Sequence, residues 1–451
     1  MAQATSSMPT TKFLRRHILL LFLLTASLNG QAHQKTDTTA TKPLPDGHAL
    51  SVEAGFVPSH VLALDEYVRK WLKRKNSTAF YLQLNRTAIP GNGNDFDSDY
   101  NYPSLSAGVR LSLNHGVTMR RDADQSWGGY LVPVDYTSRL GNAITAYGLF
   151  SRPIMRTKRW EAGYQLGMGV GYFNKKYNPT DDIDNELIGS HLNIYFTAGI
   201  YCQYEITPTW AAKAGIDFAH HSNGALHRPN KGANYLGPFA ALVFRPDQPR
   251  EPKTHEATMH TPFKRYWMAE MALGFGGKTL LEDWQRTQFR TPPGSPDYRT
   301  SRFPVYGAFS LQTSLLYRYA RRWASGIGID VFYGDYAQKV ARLDKAAGYA
   351  DEPHSPWSVG IALKHEVFYG NLSARMGIGW YLYRHMGVEA KDIERRYYER
   401  IGLFYTPPRL GGVSVGMSVN AHATKADFTE LVISMPIKLH RHTSPTTLTT
   451  P

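Results

Sequence analysis

A single cysteine, Cys202, in 451 residues leaves no disulfide framework within one chain. Set in an apolar strand-like pattern, that thiol is expected to be buried and inert. Beyond residue 32 the chain also lacks any run approaching the ~18 to 20 uninterrupted apolar residues of a spanning helix. A helical membrane protein is thereby excluded, and no cysteine follows the leader to carry a lipid anchor.

The first 32 residues read as an address. Lys12, Arg15 and Arg16 precede the apolar run Ile18 to Ala26, and Gly30-Gln31-Ala32 supplies a small-x-small cleavage site, the pattern of a secretory signal peptide. The mature chain is expected outside the cytoplasm. A net charge of +14 and a pI near 9.5 would suit nucleic acid, but an exported chain meets none. An anionic lipid surface is the expected partner instead.

The composition favours strands: 39 glycines, 27 prolines and 13% aromatics accompany short apolar segments of alternating character. Phe80-Tyr81-Leu82-Gln83-Leu84, Ala107 to Leu113, Tyr164 to Phe173 and Ile194 to Tyr201 are examples. Ten-residue alternation with aromatics near the ends is the signature of a transmembrane β-barrel, and a soluble β-sandwich is the competing class. Eight candidate strands begin near residues 78, 104, 128, 141, 159, 190, 208 and 234, and eight more near 265, 303, 323, 357, 371, 397, 411 and 427. Gly167 to Tyr172 is echoed by Arg375 to Trp380, and Ala219-His220-His221-Ser222 by Ala421-His422-Ala423-Thr424. The expected fold is therefore all-β, with two tandem eight-stranded antiparallel barrels, and one sixteen-stranded barrel as the alternative. The expected organisation is 1–32 signal peptide, 33–77 N-terminal segment, 78–245 first barrel, 246–263 polar linker, 264–440 second barrel and 441–451 polar tail.

One segment carries chemistry. His220 and Ser222 stand two apart at the end of a strand-like run, hence on one face, where an imidazole can take the hydroxyl proton. Ser222-Asn223-Gly224 and Pro229-Asn230-Lys231-Gly232 are turn sequences in their own right, so an ordered loop without chemistry is the bland reading. Metal is not expected: His220 and His221 point to opposite faces, and His365-Glu366 lacks the second histidine of a zincin motif.

His220-His221-Ser222-Asn223-Gly224 followed by Pro229-Asn230-Lys231-Gly232-Ala233-Asn234 resembles the active-site segment of the PagL-type lipid A deacylases, eight-stranded outer-membrane barrels also called acyloxyacyl hydrolases. Tyr100 to Pro103, Gly141 to Gly148, Arg152-Pro153-Ile154, Tyr177-Asn178-Pro179 and Ile188 to Asn193 resemble stretches of the longer, two-part members. The resemblance implies Ser222 as nucleophile, His220 as general base, and Asn223 with neighbouring amides, Gly224 among them, as donors to the oxyanion. Where the family carries a glutamate orienting the histidine, this chain has Asn234. An amide can fix the tautomer but cannot stabilise the imidazolium as a carboxylate does. Asp217 lies an odd number of residues from His220, on the other face, and Glu186 falls in a loop. Arg228 and Lys231, beside the motif, are candidate contacts for substrate phosphate.

In the second half His422 and Thr424 stand where His220 and Ser222 would be, but nothing there corresponds to Asn223 or Asn234, so a degenerate site is expected. The chain is expected to be an outer-membrane esterase that removes a hydroxyacyl chain from lipid A without a cofactor. The alternative is a non-catalytic barrel, structural, lipid-binding or porin-like, with a vestigial His-Ser pair.

Overall fold

The computed structural model describes residues 47–122, 130–246, 261–388, 390–391, 395–423 and 425–439. The signal peptide, residues 247–260 of the linker and the polar tail lie outside these residues. The chain divides into two compact units, and residues 279–305 belong with the first unit although they follow the first strand of the second. Among the described residues no helix is long and apolar enough to cross a membrane.

The first unit is an antiparallel barrel of β1 (His48–Val61), β2 (Leu72–Ala88), β3 (Ser104–Leu113), β6 (Ala143–Arg156), β7 (Trp160–Phe173), β8 (Leu192–Glu205), β9 (Trp210–Ser222) and β10 (Ala233–Phe244). It closes because β1 pairs with both β10 and β2. Two short strands, β4 (Val117–Met119) and β5 (Ser138–Arg139), extend β2 at the loop end. The counting from sequence missed β1, placing it inside the 33–77 segment, and put a strand near 128 where residues 130–137 form none. The cause is visible in β1 itself. Three of its buried inward positions, Ser51, Glu53 and Ser59, are polar beside Val57 and Val61, and Gly55 and Pro58 interrupt the alternation, so it reads as a loop.

The faces follow from the pleat, which sends alternate residues to opposite sides. On β1, β2, β9 and β10 the even-numbered residues face out: Phe56, Leu82, Ile216, Leu236 and Leu242 are exposed. The odd-numbered residues face a polar lumen. There Arg110 Nη1 lies 2.6 Å from Asp217 Oδ2, and Lys213 Nζ lies 3.2 Å from Glu53, which also accepts from Tyr81 and Gln83. Buried charges persist only when paired and hydrogen-bonded, and here the pairs fill an eight-stranded lumen. The same alternation corrects the reading of Cys202: it is exposed on the outer face, because in a barrel the apolar pattern marks lipid contact.

The second unit is a closed barrel of β11 (Tyr266–Lys278), β12 (Tyr306–Ala320), β13 (Trp323–Gly334), β14 (His354–Tyr369), β15 (Leu372–Met386), β16 (Tyr397–Tyr405), β17 (Ser414–His422) and β18 (Lys425–Leu439). Its lumen is likewise bridged by charge, with Lys364 2.7 Å from Asp330, Arg375 2.9 Å from Glu366 and Arg400 3.4 Å from Glu430. Two eight-stranded barrels, rather than one of sixteen strands, is the architecture.

Candidate active site

The site is built where β9 hands over to the loop returning as β10. Register pairs His220 directly with Asn234, and Ser222 is the last residue of β9. His220 Nε2 lies 2.8 Å from Ser222 Oγ, and His220 Nδ1 lies 2.7 Å from Asn234 Oδ1. The Asn234 amide is oriented by its own donor, since Nδ2 donates to the Gly232 carbonyl at 3.3 Å. Its Oδ1 therefore faces the histidine and can only accept, so Nδ1 carries the proton and Nε2 is left to receive the serine hydroxyl's.

All three side chains follow the outward parity of Ile216 and Leu236. They stand at the loop end of the lipid-facing surface, with Phe196 of β8 opposite His220. His221, one position on, points into the lumen, where Nε2 meets Thr145 Oγ1 at 3.0 Å. The two histidines cannot share a ligand.

The loop 223–232 is held by its own polar groups. Asn230 Oδ1 accepts from the Asn223 amide at 2.9 Å, and Asn223 Oδ1 accepts from the His227 amide at 3.0 Å. Gly224 and Ala225 adopt φ of 60° and 68°, two consecutive left-handed residues that turn the chain immediately after Ser222 and Asn223. Asn223 Nδ2 is buried and has no hydrogen-bond partner among the described residues. An unmatched buried donor is costly, and this one lies one residue from the serine. Gly232 closes the loop at φ +76°, where a Cβ would stand 2.7 Å from His220 Cε1. Burial, followed by the nearby Lys176, pushes the His227 imidazole down to about 4.

The two carboxylates weighed as orienters are engaged elsewhere. Asp217 holds Arg110 and Thr197 in the lumen. Glu186 Oε1 lies 2.7 Å from Arg121 Nη2 and 2.9 Å from the Tyr67 hydroxyl. Of the candidate phosphate contacts, Lys231 Nζ lies 3.3 Å from Asp65 and 4.8 Å from the Tyr67 ring centroid, while Arg228 donates to Thr279. Both cations are thus part of the loop's own scaffold.

A supporting layer escaped the sequence reading. Arg121, fully buried, bridges Asp184 Oδ1 at 2.6 Å and Glu186. Asp184 is pushed up by burial, but Arg121 and Arg299 overcome this and hold it below the usual carboxylate range. The backbone carbonyls of Glu186 and Leu187 then accept from Lys231 and Gly232 at 3.1 Å each, fixing the end of the site loop. Nothing in the spacing of these residues announces that they meet. Arg120-Arg121-Asp122 reads as solvated surface charge.

The second unit departs from expectation at His422. It faces the lumen, with Nε2 2.9 Å from the Tyr381 hydroxyl, and a register shift beside it places Ala421 opposite Ala426. In its facing it corresponds to His221, not to His220. Thr424 lies outside the described residues.

With this geometry in place, two family models match the chain. Residues 102–242 match the family model described as lipid A 3-O-deacylase (PagL), and residues 267–439 match the one described as acyloxyacyl hydrolase, C-terminal domain. Among solved structures, the outer membrane enzyme PagL is 15% identical, with 42% of this chain and 97% of that chain covered and a TM-score of 0.25. The Pseudomonas putida toluene transporter TodX is 9% identical over 87% and 89%, with a TM-score of 0.17. A Rhodopseudomonas blastica porin mutant is 8% identical over 86% and 100%, with a TM-score of 0.15. No curated protein matches.

Proposed function

Because this chain belongs to the PagL family of outer-membrane lipid A deacylases, in its long two-part form, we propose that it is a serine esterase that releases an ester-linked hydroxyacyl chain from lipid A. One observation carries the mechanism: His220 bridges Ser222 Oγ and Asn234 Oδ1 on the outward face. The nucleophile thus opens to the side from which a membrane lipid arrives.

In the first half-reaction Ser222 Oγ attacks the acyl carbonyl while its proton passes to His220 Nε2. The negative charge that develops on the carbonyl oxygen needs a donor already in place, and the buried side-chain Nδ2 of Asn223, which has no partner among the described residues, supplies it. Collapse breaks the ester C–O bond, and His220 returns its proton to the departing alkoxide, leaving the glycolipid with a free hydroxyl and an acyl group on Ser222. Water then attacks the acyl-enzyme, giving its proton to His220. Breakdown frees the hydroxy fatty acid and restores the serine. Asn234 keeps Nδ1 protonated throughout, so that Nε2 alone turns over.

The chemistry needs no cofactor, and the charge pairs in each lumen favour an enzyme working on its outer wall over a pore. Mass spectrometry of lipid A from Gram-negative cells expressing wild type beside Ser222→Ala tests the reading. Loss of one hydroxyacyl mass with wild type alone is the expected result. Identical spectra from two folded, outer-membrane proteins would return the chain to a non-catalytic barrel.

A further inference from the structure

The site loop is gripped by a segment that arrives from far along the chain. Residues 279–305 lie within the stretch matching the C-terminal domain model, yet they pack as part of the first unit. They include the short helix Leu281–Gln285 and a π-helical turn Arg286–Arg290. Trp284 is fully buried, with its ring edge-on to Tyr177 at 5.3 Å, and Arg299 donates to the Ile183 carbonyl at 3.1 Å and to Asp184 at 3.3 Å. This anchors the segment to the same 183–187 stretch that holds Lys231 and Gly232.

Its first residue reaches the other end of the site loop. Thr279, fully buried, donates to the Ala225 carbonyl twice, from its amide and from its hydroxyl, both at 2.9 Å. Arg228 donates in turn to Thr279 Oγ1 at 3.3 Å and to its carbonyl at 3.4 Å. Ala225 is the non-glycine residue held at φ 68° directly after Gly224. An alanine in that region is strained and stays there only when its surroundings compel it. The double acceptor bond at its carbonyl is such a constraint, and the turn so fixed carries Asn223, whose buried side-chain Nδ2 is the donor offered to the oxyanion.

We propose that Thr279 is a positioning residue for the deacylation reaction: it acts through Ala225 to hold the oxyanion-binding turn, so residues of the C-terminal half complete the catalytic unit. This rests on the esterase reading above. It also gives the 279–305 connection a reason to be longer than a hairpin needs.

The test uses the full chain in outer membranes, with folding checked by heat-modifiable electrophoretic mobility. Thr279→Val keeps the shape and removes the hydroxyl, and Thr279→Ser keeps the hydroxyl. We expect Thr279→Val to lower kcat about 10- to 100-fold with KM near wild type, as small displacements of oriented groups do, and to speed hydrogen exchange in 223–228. Thr279→Ser should restore both. Unchanged kcat and exchange in Thr279→Val, or equal losses in the two variants, would overturn the proposal. If wild type and Ser222→Ala act alike on lipid A, the esterase reading fails instead, and exchange alone then decides whether Thr279 holds the turn.

Discussion

Asn234 accepts from His220 across a directly paired position of β9 and β10, Oδ1 to Nδ1 at 2.7 Å, and so an amide occupies the place that a carboxylate holds in most Ser-His enzymes. The bond fixes the tautomer without adding charge.

Two substitutions separate those functions. Asn234→Leu removes the acceptor and frees the imidazole to take the wrong tautomer, and kcat should fall at least about 100-fold with the barrel intact. Asn234→Asp keeps an acceptor and adds a negative charge, which favours the imidazolium and raises the His220 pKa. A general base must be neutral to act, so the acidic limb of the kcat/KM profile should move to higher pH in Asn234→Asp. Equal kcat in wild type and Asn234→Leu would remove Asn234 from the mechanism.

What the sequence disclosed was set by distance along the chain. His220, Ser222 and Asn234 lie within one hairpin, so parity and a family-like motif bring them to one face. The strands of the second barrel were legible because Leu273, Ile327, Ile361 and their like alternate with small or polar residues. Arg121, Asp184 and Glu186 meet across 63 to 65 residues, and Thr279 meets Ala225 across 54. Separations of that size leave no periodic trace. Cys202 departs from expectation for a different reason, in that apolar alternation implies burial in a soluble protein whereas in a barrel the apolar face points outward.

Acid should loosen the site loop before it unfolds the barrel. His227 sits buried in that loop with its pKa pushed down to about 4 by desolvation and by Lys176, against 6.5 for the free side chain. Folding favours the neutral ring, so its contribution is fully present above pH 6.5, declines as pH falls toward 4, and levels off below. A shift of this size corresponds to about 3 kcal/mol. Protection factors of residues 223–232, that is, hydrogen exchange corrected for the slowing of the intrinsic reaction in acid, should therefore fall between pH 6.5 and 4 in wild type and stay flat in His227→Gln. A profile with the same slope in both proteins would assign the acid sensitivity to another group.

Arg121 carries the supporting layer, and its loss should be felt at the site although it touches neither His220 nor Ser222. Replacing it with leucine leaves Asp184 and Glu186 as buried carboxylates, with Arg299 and the backbone N–H of residue 121 on Asp184 and the Tyr67 hydroxyl on Glu186 among the remaining partners. Removing one member of a buried ion cluster typically costs about 3–5 kcal/mol, because the charges left behind stay desolvated. Half of that network lies in the 182–188 stretch, whose carbonyls hold Lys231 and Gly232, so the disturbance should travel through backbone to the end of the site loop. The strands need not follow, since their pairing does not involve Arg121. Arg121→Leu should therefore keep its heat-modifiable barrel mobility, lose protection from proteolysis in the loops, and deacylate poorly. The triple variant Arg121→Leu, Asp184→Asn, Glu186→Gln removes the stranded charge and should recover part of that protection. No recovery would mean that Arg121 acts by filling space beside Tyr67 and Trp71, and not by neutralising the two carboxylates.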